Sequence, residues 1–452
     1  MNRRALLPSL ALVLVAVAAG VVRAGDTQPA ISADEIRKTV DKLAGEDFLG
    51  REAGSEGGRA AAEWLAAECE KVGLKPAGDD GTFFQNFKAS GRPLRNVVAT
   101  LPALEGSELA DEVVVIGSHY DHLGKGGHGA LDFMSGGGKV HYGADDNASG
   151  STGTLTLARA LAAAGPAKRR IVFVWFDGEE LGLFGSKHYV KKPPFPLKKT
   201  AAMLNMDMIG RLRKDKLTVY GVNTGDTFPA IEKRAVEGLE LKCEIKDTMP
   251  PNSDHFSFYE KKVPVIALFT GLHKDYHRAT DTIEKVEVEG MVRILRYAYR
   301  LVRGLADEEG RAIFAQAKDG NAEAMFEQVL AMLDEDQIKK IFGDEESLQK
   351  MFKENGLGKV MEKLRGTGLF GGGGGGGRRP RFGVSTQESE DGKGVTVVRV
   401  TENSVASKSG VKEGDRILSF DGKEVHDVAG LTESIRAAKG KVTLVIERDG
   451  AT

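Results

Sequence analysis

The sequence predicts an α/β fold: a mostly parallel, mixed sheet flanked by helices, with a small β-rich domain at the C-terminus. Three observations predict it. The runs Val113-Val114-Val115-Ile116 and Ile171-Val172-Phe173-Val174 lack the alternation of a half-wet strand, which suits a sheet covered on both faces. Such runs alternate with helical segments, the pattern of parallel strands joined by crossovers. Seven consecutive glycines at 371–377 then form a flexible tether before a last stretch of short strands.

Residues 1–24 have the layout of an export signal: Arg3 and Arg4, an apolar run over 5–22, and the small-x-small site Val22-Arg23-Ala24. An uncleaved membrane anchor is the alternative, because the run is borderline in length for a span. No later stretch is apolar enough to span. Helical periodicity covers 31–43 and 58–72, and Gly73 stops the second helix. Strands are expected at 96–100 and 112–116, the latter running into Ser118-His119-Tyr120-Asp121. The Gly-rich stretch 123–140 is too long for a simple connector and reads as a wall of a site.

GADDNASG, 143–150, opens a helix that runs to Ala164. The strand 170–174 leads through an Asp-Gly turn to the adjacent carboxylates Glu179 and Glu180. A further apolar run, 201–207, ends in Asp207; SDHF, 253–256, precedes a strand at 263–269, and the loop after it holds DYHRATDT. A helix over 286–305 closes this unit, which spans 31–305. Residues 306–370 read as a charged helical spacer, 371–381 as a linker and 382–452 as a compact domain. In that domain 395–400 alternates as a strand, GVKEGDRILSFDGKEV reads as turn, strand, Asp-Gly turn and strand, and a helix at 428–438 precedes a last strand at 441–447.

A net charge of -2 over 452 residues argues against a nucleic-acid partner. The two cysteines, Cys69 and Cys243, could form one disulfide but cannot build a thiolate zinc cluster, so any metal must be held by His and carboxylate. His119, Glu179, Glu180, Asp207 and His277 all fall at or just after predicted strand ends, the edge where parallel sheets bind ligands. Singly, each has a bland reading: a Glu pair is ordinarily a solvated loop, and Asp146 before a helix is ordinarily a cap or dipole partner. Asp207 at the end of an apolar strand has fewer such excuses, since a buried carboxylate needs a cation or several donors. Together, two histidines and three carboxylates suit a two-metal site for zinc, with manganese or cobalt as substitutes.

The motifs SHYDH, GADDNASG, FDGEELG, NMDMIG, SDHF and YHRATDT, in this order, resemble the co-catalytic di-zinc exopeptidases, which include bacterial leucyl aminopeptidases and glutamate carboxypeptidases. The resemblance implies that Asp146 bridges two zinc ions, that His119 and Asp207 complete one site, and that Glu180 and His277 complete the other. It further implies Glu179 as general base, Asp121 as the carboxylate orienting His119, Tyr276 as a hydroxyl for the oxyanion, and a cis peptide at Asp146-Asn147. His255 competes with His277, and the match of YHRATDT to the ligand-bearing loop favours His277; Asp254 and His255 are then pocket wall. His122, His128 and His141 are expected at the surface.

The activity this implies is a secreted or periplasmic aminopeptidase acting on peptides. A carboxypeptidase or other amidohydrolase on the same fold is the alternative, as is a non-catalytic binding protein. The C-terminal domain resembles a PDZ domain, with Arg381-Phe382-Gly383-Val384 as a loose match to the carboxylate-binding loop, which implies a C-terminal peptide ligand.

Overall fold

The continuous apolar runs become the centre of a nine-stranded sheet in the computed structural model of the chain. It describes residues 31–127, 129–132, 138–319, 382, 384–389, 393–400, 404–426, 428–437 and 442–448. The expected signal segment, the linker, His128 and the part of the spacer beyond 319 lie outside the described residues. The chain divides into two compact units at Leu369/Phe370.

In the first unit the strands are β1 (Lys75–Pro76), β2 (Phe84–Ala89), β3 (Arg92–Leu101), β4 (Val113–His119), β5 (Arg170–Phe176), β6 (Thr200–Met206), β7 (Lys216–Tyr220), β8 (Lys242–Lys246), β9 (Thr248–Met249) and β10 (Val265–Phe269). Their order in the large sheet is β1-β3-β5-β4-β6-β10-β7-β8, with β2 also pairing β3. The core β5-β4-β6-β10 is parallel, while β3 and β7 join it antiparallel on either side. The sheet is therefore mixed, with its parallel part where the apolar runs predicted it.

Successive side chains on a strand point to opposite faces. Val114 and Ile116 accordingly join one apolar cluster with Ile171, Phe173, Leu204 and Ile266. Val113 and Val115 join another with Val172, Val174, Met203 and Val265. The helices are α1 (Ala33–Leu43), α2 (Glu56–Val72), α3 (Gly150–Ala164), α4 (Phe184–Lys191), α5 (Phe228–Val236), α6 (His255–Tyr259) and α7 (Val288–Asp307). Residues of α1, α2, α3 and α7 cover the first face, and Tyr189 of α4 and Phe258 of α6 pack on the second. Ser32 and Ser55 accept backbone N–H groups at the starts of α1 and α2, and Gly73 ends α2 at φ 83°, a left-handed conformation that favours glycine.

The expectation of helix after 306 fails for its first part. α7 stops at Asp307, and the chain continues extended to β11 (Lys318–Asp319), which pairs parallel with β9. The cause is local competition: Ala315 donates its N–H to Thr224, and Arg169, buried, gathers the carbonyls of Leu305 and Glu308. Cys69 and Cys243 are both free thiols. Among the described residues no helix is long and apolar enough to cross a membrane.

The second unit contains β12 (Val384–Glu388), β13 (Val395–Val400), α8 (Val405–Lys408), β14 (Arg416–Phe420), β15 (Lys423–Glu424), α9 (Val428–Ala437) and β16 (Leu444–Glu447). Its five strands form an antiparallel sheet over a core that includes Phe382, Val395, Val397, Ile417, Phe420 and Leu431. Asp421 and Gly422 both have positive φ, 51° and 75°, as the Asp-Gly turn between β14 and β15 requires.

Candidate metal centre

Because β4, β5, β6 and β10 run parallel, their C-terminal ends share one edge, and the side chains that follow them meet there. His119 is the last residue of β4 and Asp207 directly follows β6. Glu179 and Glu180 lie three and four residues past the end of β5, and Tyr276 and His277 lie in the loop after β10. Asp146 sits in the turn that opens α3, followed by a cis peptide to Asn147 as expected.

The five expected ligands converge. His119 Nε2 is 3.4 Å from Asp146 Oδ1 and 3.5 Å from Asp207 Oδ1. On the other side of Asp146, His277 Nε2 is 3.1 Å from Asp146 Oδ2 and 3.0 Å from Glu180 Oε2. Asp146 thus turns one oxygen to each half of the cluster. Donor atoms close enough to share one ion are offered by His119, Asp146 and Asp207, by His119, Glu179 and Glu180, and by His122, Asp146 and Glu180. The buried Oδ2 of Asp146 accepts no hydrogen bond among the described residues, the condition in which a buried carboxylate calls for a cation. The donor set, imidazole and carboxylate without sulfur, fits zinc.

Around this cluster lies a cleft lined by His119, Asp146, Glu179, Asp207, Tyr276 and His277 and by an apolar side that includes Met208, Leu268 and Leu272. Burial pushes Glu179 well above the usual carboxylate range; Glu180 and Asp207 add to this, while His119 opposes it. Glu180 moves the other way. Burial would raise it, but the charge of His277 and contacts from His122 and His277 hold it at about 2. Two neighbouring carboxylates pushed apart in this way are suited to separate roles, one exchanging protons and one staying charged. Tyr276 is pushed up by burial and by the surrounding carboxylates, so its phenol stays protonated; its ring stacks on His277 at 3.9 Å.

Asp121 supports the site differently from the expectation. His119 Nδ1 donates to the backbone carbonyl of Asp121 at 3.1 Å, whereas the carboxylate stands 3.8 Å away. The two carboxylate oxygens instead accept the backbone N–H groups of Glu179 and Glu180, at 3.1 and 3.3 Å. Asp121 therefore fixes the loop carrying the two glutamates, and its carbonyl sets the tautomer of His119. His255 lines the cleft as expected, with Nε2 at 3.0 Å from the carbonyl of Pro250, and burial lowers its ring to about 4.

The surface reading of His122 and His141 is wrong. Both are buried: His122 Nδ1 lies 2.8 Å from Glu180 Oε1, and His141 Nε2 lies 2.6 Å from Asp132. Asp132 also accepts the N–H of Ala279, and the Gly129 carbonyl accepts from His277 Nδ1 at 2.9 Å, so these two residues of the long loop support His277 from behind, while none of the loop's described residues lines the cleft. Three supporting residues had no assignment from sequence. Asp281 accepts the N–H groups of both Asp145 and Asp146. His273 pairs with Asp145 at 3.0 Å. Arg51 donates to the carbonyls of Tyr120, Tyr142 and Gly143, tying together the segments that carry His119 and Asp146. A lone arginine in GREAG offers no periodicity or spacing that would mark it.

Residues 96–302 match the family described as Peptidase family M28, and residues 380–452 match the PDZ domain. That first matched stretch lies within the first unit. A leupeptin-inactivating enzyme from Streptomyces exfoliatus is 30% identical over 277 residues, covering 59% of this chain and 56% of that protein. A probable leucine aminopeptidase from Trichophyton verrucosum is 28% identical over 250 residues, covering 51% of this chain and 60% of its own length. The chain thus spans little more than half the length of these curated relatives. In fold, the chain is similar to a zinc aminopeptidase from Bacillus subtilis, with a TM-score of 0.50 and 16% identity, covering 65% of this chain and 100% of that structure.

Proposed function

We propose that this protein is an exported di-zinc aminopeptidase that removes N-terminal residues from peptides, with a PDZ domain that binds the C-terminal peptide of a partner. The observation that carries the reading is the two-sided approach to Asp146, with His119 and Asp207 at one oxygen and His277 and Glu180 at the other. A pair of zinc ions held there would acidify a water and polarise a scissile carbonyl, the chemistry such cations supply. Manganese or cobalt would serve the same donor set.

The chain's own groups do the rest. Glu179 lines the cleft, and its raised proton affinity suits a carboxylate that takes a proton from the attacking water and returns it to the leaving amine. Tyr276, kept protonated, donates to the oxyanion that develops at the carbonyl. Asp121 holds the backbone beneath Glu179, so the base is fixed before substrate arrives. The apolar wall at Met208, Leu268 and Leu272 favours an apolar side chain at the residue being released.

A panel of aminoacyl-nitroanilides tests the proposal, with matching N-acetylated and C-terminal substrates as controls. Free-amine substrates are expected to be cleaved, with loss on chelation and recovery on adding zinc. Cleavage confined to N-blocked or C-terminal substrates would turn the assignment to another amidohydrolase on the same scaffold.

A further inference from the structure

The carboxylate of Glu180 faces two different histidines. Its Oε2 converges with Asp146 Oδ2 and His277 Nε2, which lie 3.0 and 3.1 Å from one another along the chain Glu180–His277–Asp146. Its Oε1 is turned the other way, to His122 Nδ1 at 2.8 Å. From Asp146 Oδ2, His122 Nδ1 is 3.8 Å away, against 3.1 Å for His277 Nε2, although His122, Asp146 and Glu180 also stand close enough to share an ion. His122 thus stands closest to one oxygen of one ligand, whereas His277 is about equally close to two.

The ring of His122 is built into its position. Its side chain is fully buried, its backbone N–H donates to the carbonyl of Arg51, and its edge meets the His277 ring at 5.8 Å. Gly143 lies against it: a Cβ there would come within 2.4 Å of the ring, and φ at Gly143 is +54°. Only one neutral tautomer fits these surroundings. With the proton on Nδ1, the ring donates to Oε1. With the proton on Nε2, two lone pairs would oppose each other at 2.8 Å and a buried N–H would face no acceptor, since Nε2 has no hydrogen-bond partner among the described residues.

We propose that His122 is a positioning residue for the second metal site: its Nδ1–H occupies Oε1 of Glu180 and so directs Oε2, alone, to the cation that His277 and Asp146 share. This rests on the two-zinc reading above. A carboxylate restrained in this way loses less freedom on binding and cannot rotate into a bidentate mode, and removing such an outer partner typically weakens metal binding by about 10- to 100-fold.

The test is zinc titration of the chelator-stripped full chain against a chromophoric competitor, for wild type, His122→Ala, His122→Asn and His122→Gln, with cobalt spectra of each. Asn carries an N–H donor near the place of Nδ1, whereas the amide of Gln reaches the place of Nε2. The expected result is a second-site affinity weakened about 10- to 100-fold in the Ala and Gln variants, and within about threefold of wild type in the Asn variant, with its cobalt spectrum unchanged. Wild-type affinity in the Ala variant would overturn the proposal. So would a loss in the Asn variant equal to that in Gln together with a changed cobalt spectrum, which would make His122 a ligand itself. If the Ala variant does not fold, the Asn and Gln pair decides. Wild-type protein that takes up fewer than two zinc ions would instead overturn the two-zinc reading.

Discussion

Asp415 in the C-terminal unit and Asp146 in the first unit are both buried carboxylates, and the chain treats them in opposite ways. Asp415 is held by Arg448, whose Nε and Nη2 donate at 2.6 and 2.7 Å, and by the N–H of Lys412 at 2.7 Å. Its charge is matched by the protein. Asp146 is set among Glu180, Asp207 and two histidines, and one of its oxygens accepts no hydrogen bond among the described residues. Arg51, the buried guanidinium behind it, is committed to backbone carbonyls and acts on the cluster only at a distance. The difference separates two uses of a buried charge. A carboxylate given its own cation by the fold serves the fold, and carboxylates crowded together without one are kept for a cation from outside.

The largest expected effect sharpens this distinction within the cleft itself. Glu179 is half-buried beside the same cluster but is assigned the proton, not the metal. Glu179→Gln should lower kcat by about 10²- to 10⁴-fold, the usual contribution of a positioned base, and leave zinc content by elemental analysis at the wild-type value. A variant that lost zinc would make Glu179 a ligand and break the comparison.

Removing the metal tests the other half. If the crowded carboxylates await a cation, zinc at 100 times its dissociation constant should stabilise the first unit by about 2.7 kcal/mol, read as a rise in the thermal midpoint followed by Trp64 and Trp175 fluorescence. Hydrogen exchange in residues 395–447 should not respond, because Asp415 already has its partner. Zinc-independent midpoints would show that the cluster is satisfied without metal.

Asp132 stands between the two cases. It is paired with His141, yet it also accepts the N–H of Ala279, two residues past His277. Asp132→Ala should free the loop that carries His277 and weaken zinc by about tenfold, with a smaller change in kcat. Equal loss at both zinc sites, resolved by titration, would mean that the loop supports the whole rim and not one half of it.

These cases also show where the sequence is readable. His119, Asp207 and the glutamate pair were legible because each ends a continuous apolar run, and a parallel sheet brings such ends to one edge. β4, β5, β6 and β10 were legible for the same reason. The flanking strands β2, β7 and β8 were not singled out, being more polar and lying outside the parallel core. The supports of the site were hidden more deeply. His122 sits beside a Gly-rich stretch and so reads as surface, and its ring packs against Gly143, which is distant in sequence. Asp121 was assigned to the right place, but the loop after β5 takes its carboxylate, which leaves the carbonyl for His119. Such choices are made by tertiary contacts, and no local spacing records them.

The smallest effect belongs to Asp415. Arg448 is 38% exposed on its side chain, so it can hydrate once its partner is gone, and the loss is that of a screened, bidentate pair with one backbone bond. Asp415→Asn should therefore destabilise the C-terminal unit by only about 1 kcal/mol at neutral pH. The hydrogen bonds from Arg448, opposed by burial and joined by the Lys412 N–H, hold the Asp415 carboxyl below its ordinary value of 3.8. A folded-state value below the unfolded one means that this stability is fully present above the unfolded value and is lost as pH falls through the folded one. Hydrogen exchange of residues 395–447 at pH 7 should then distinguish wild type from Asp415→Asn, and acid unfolding below pH of about 4 should bring the two together. A difference that persisted undiminished into acid would mean that Asp415 acts through shape and not through charge, and the contrast with Asp146 would lose one of its two sides.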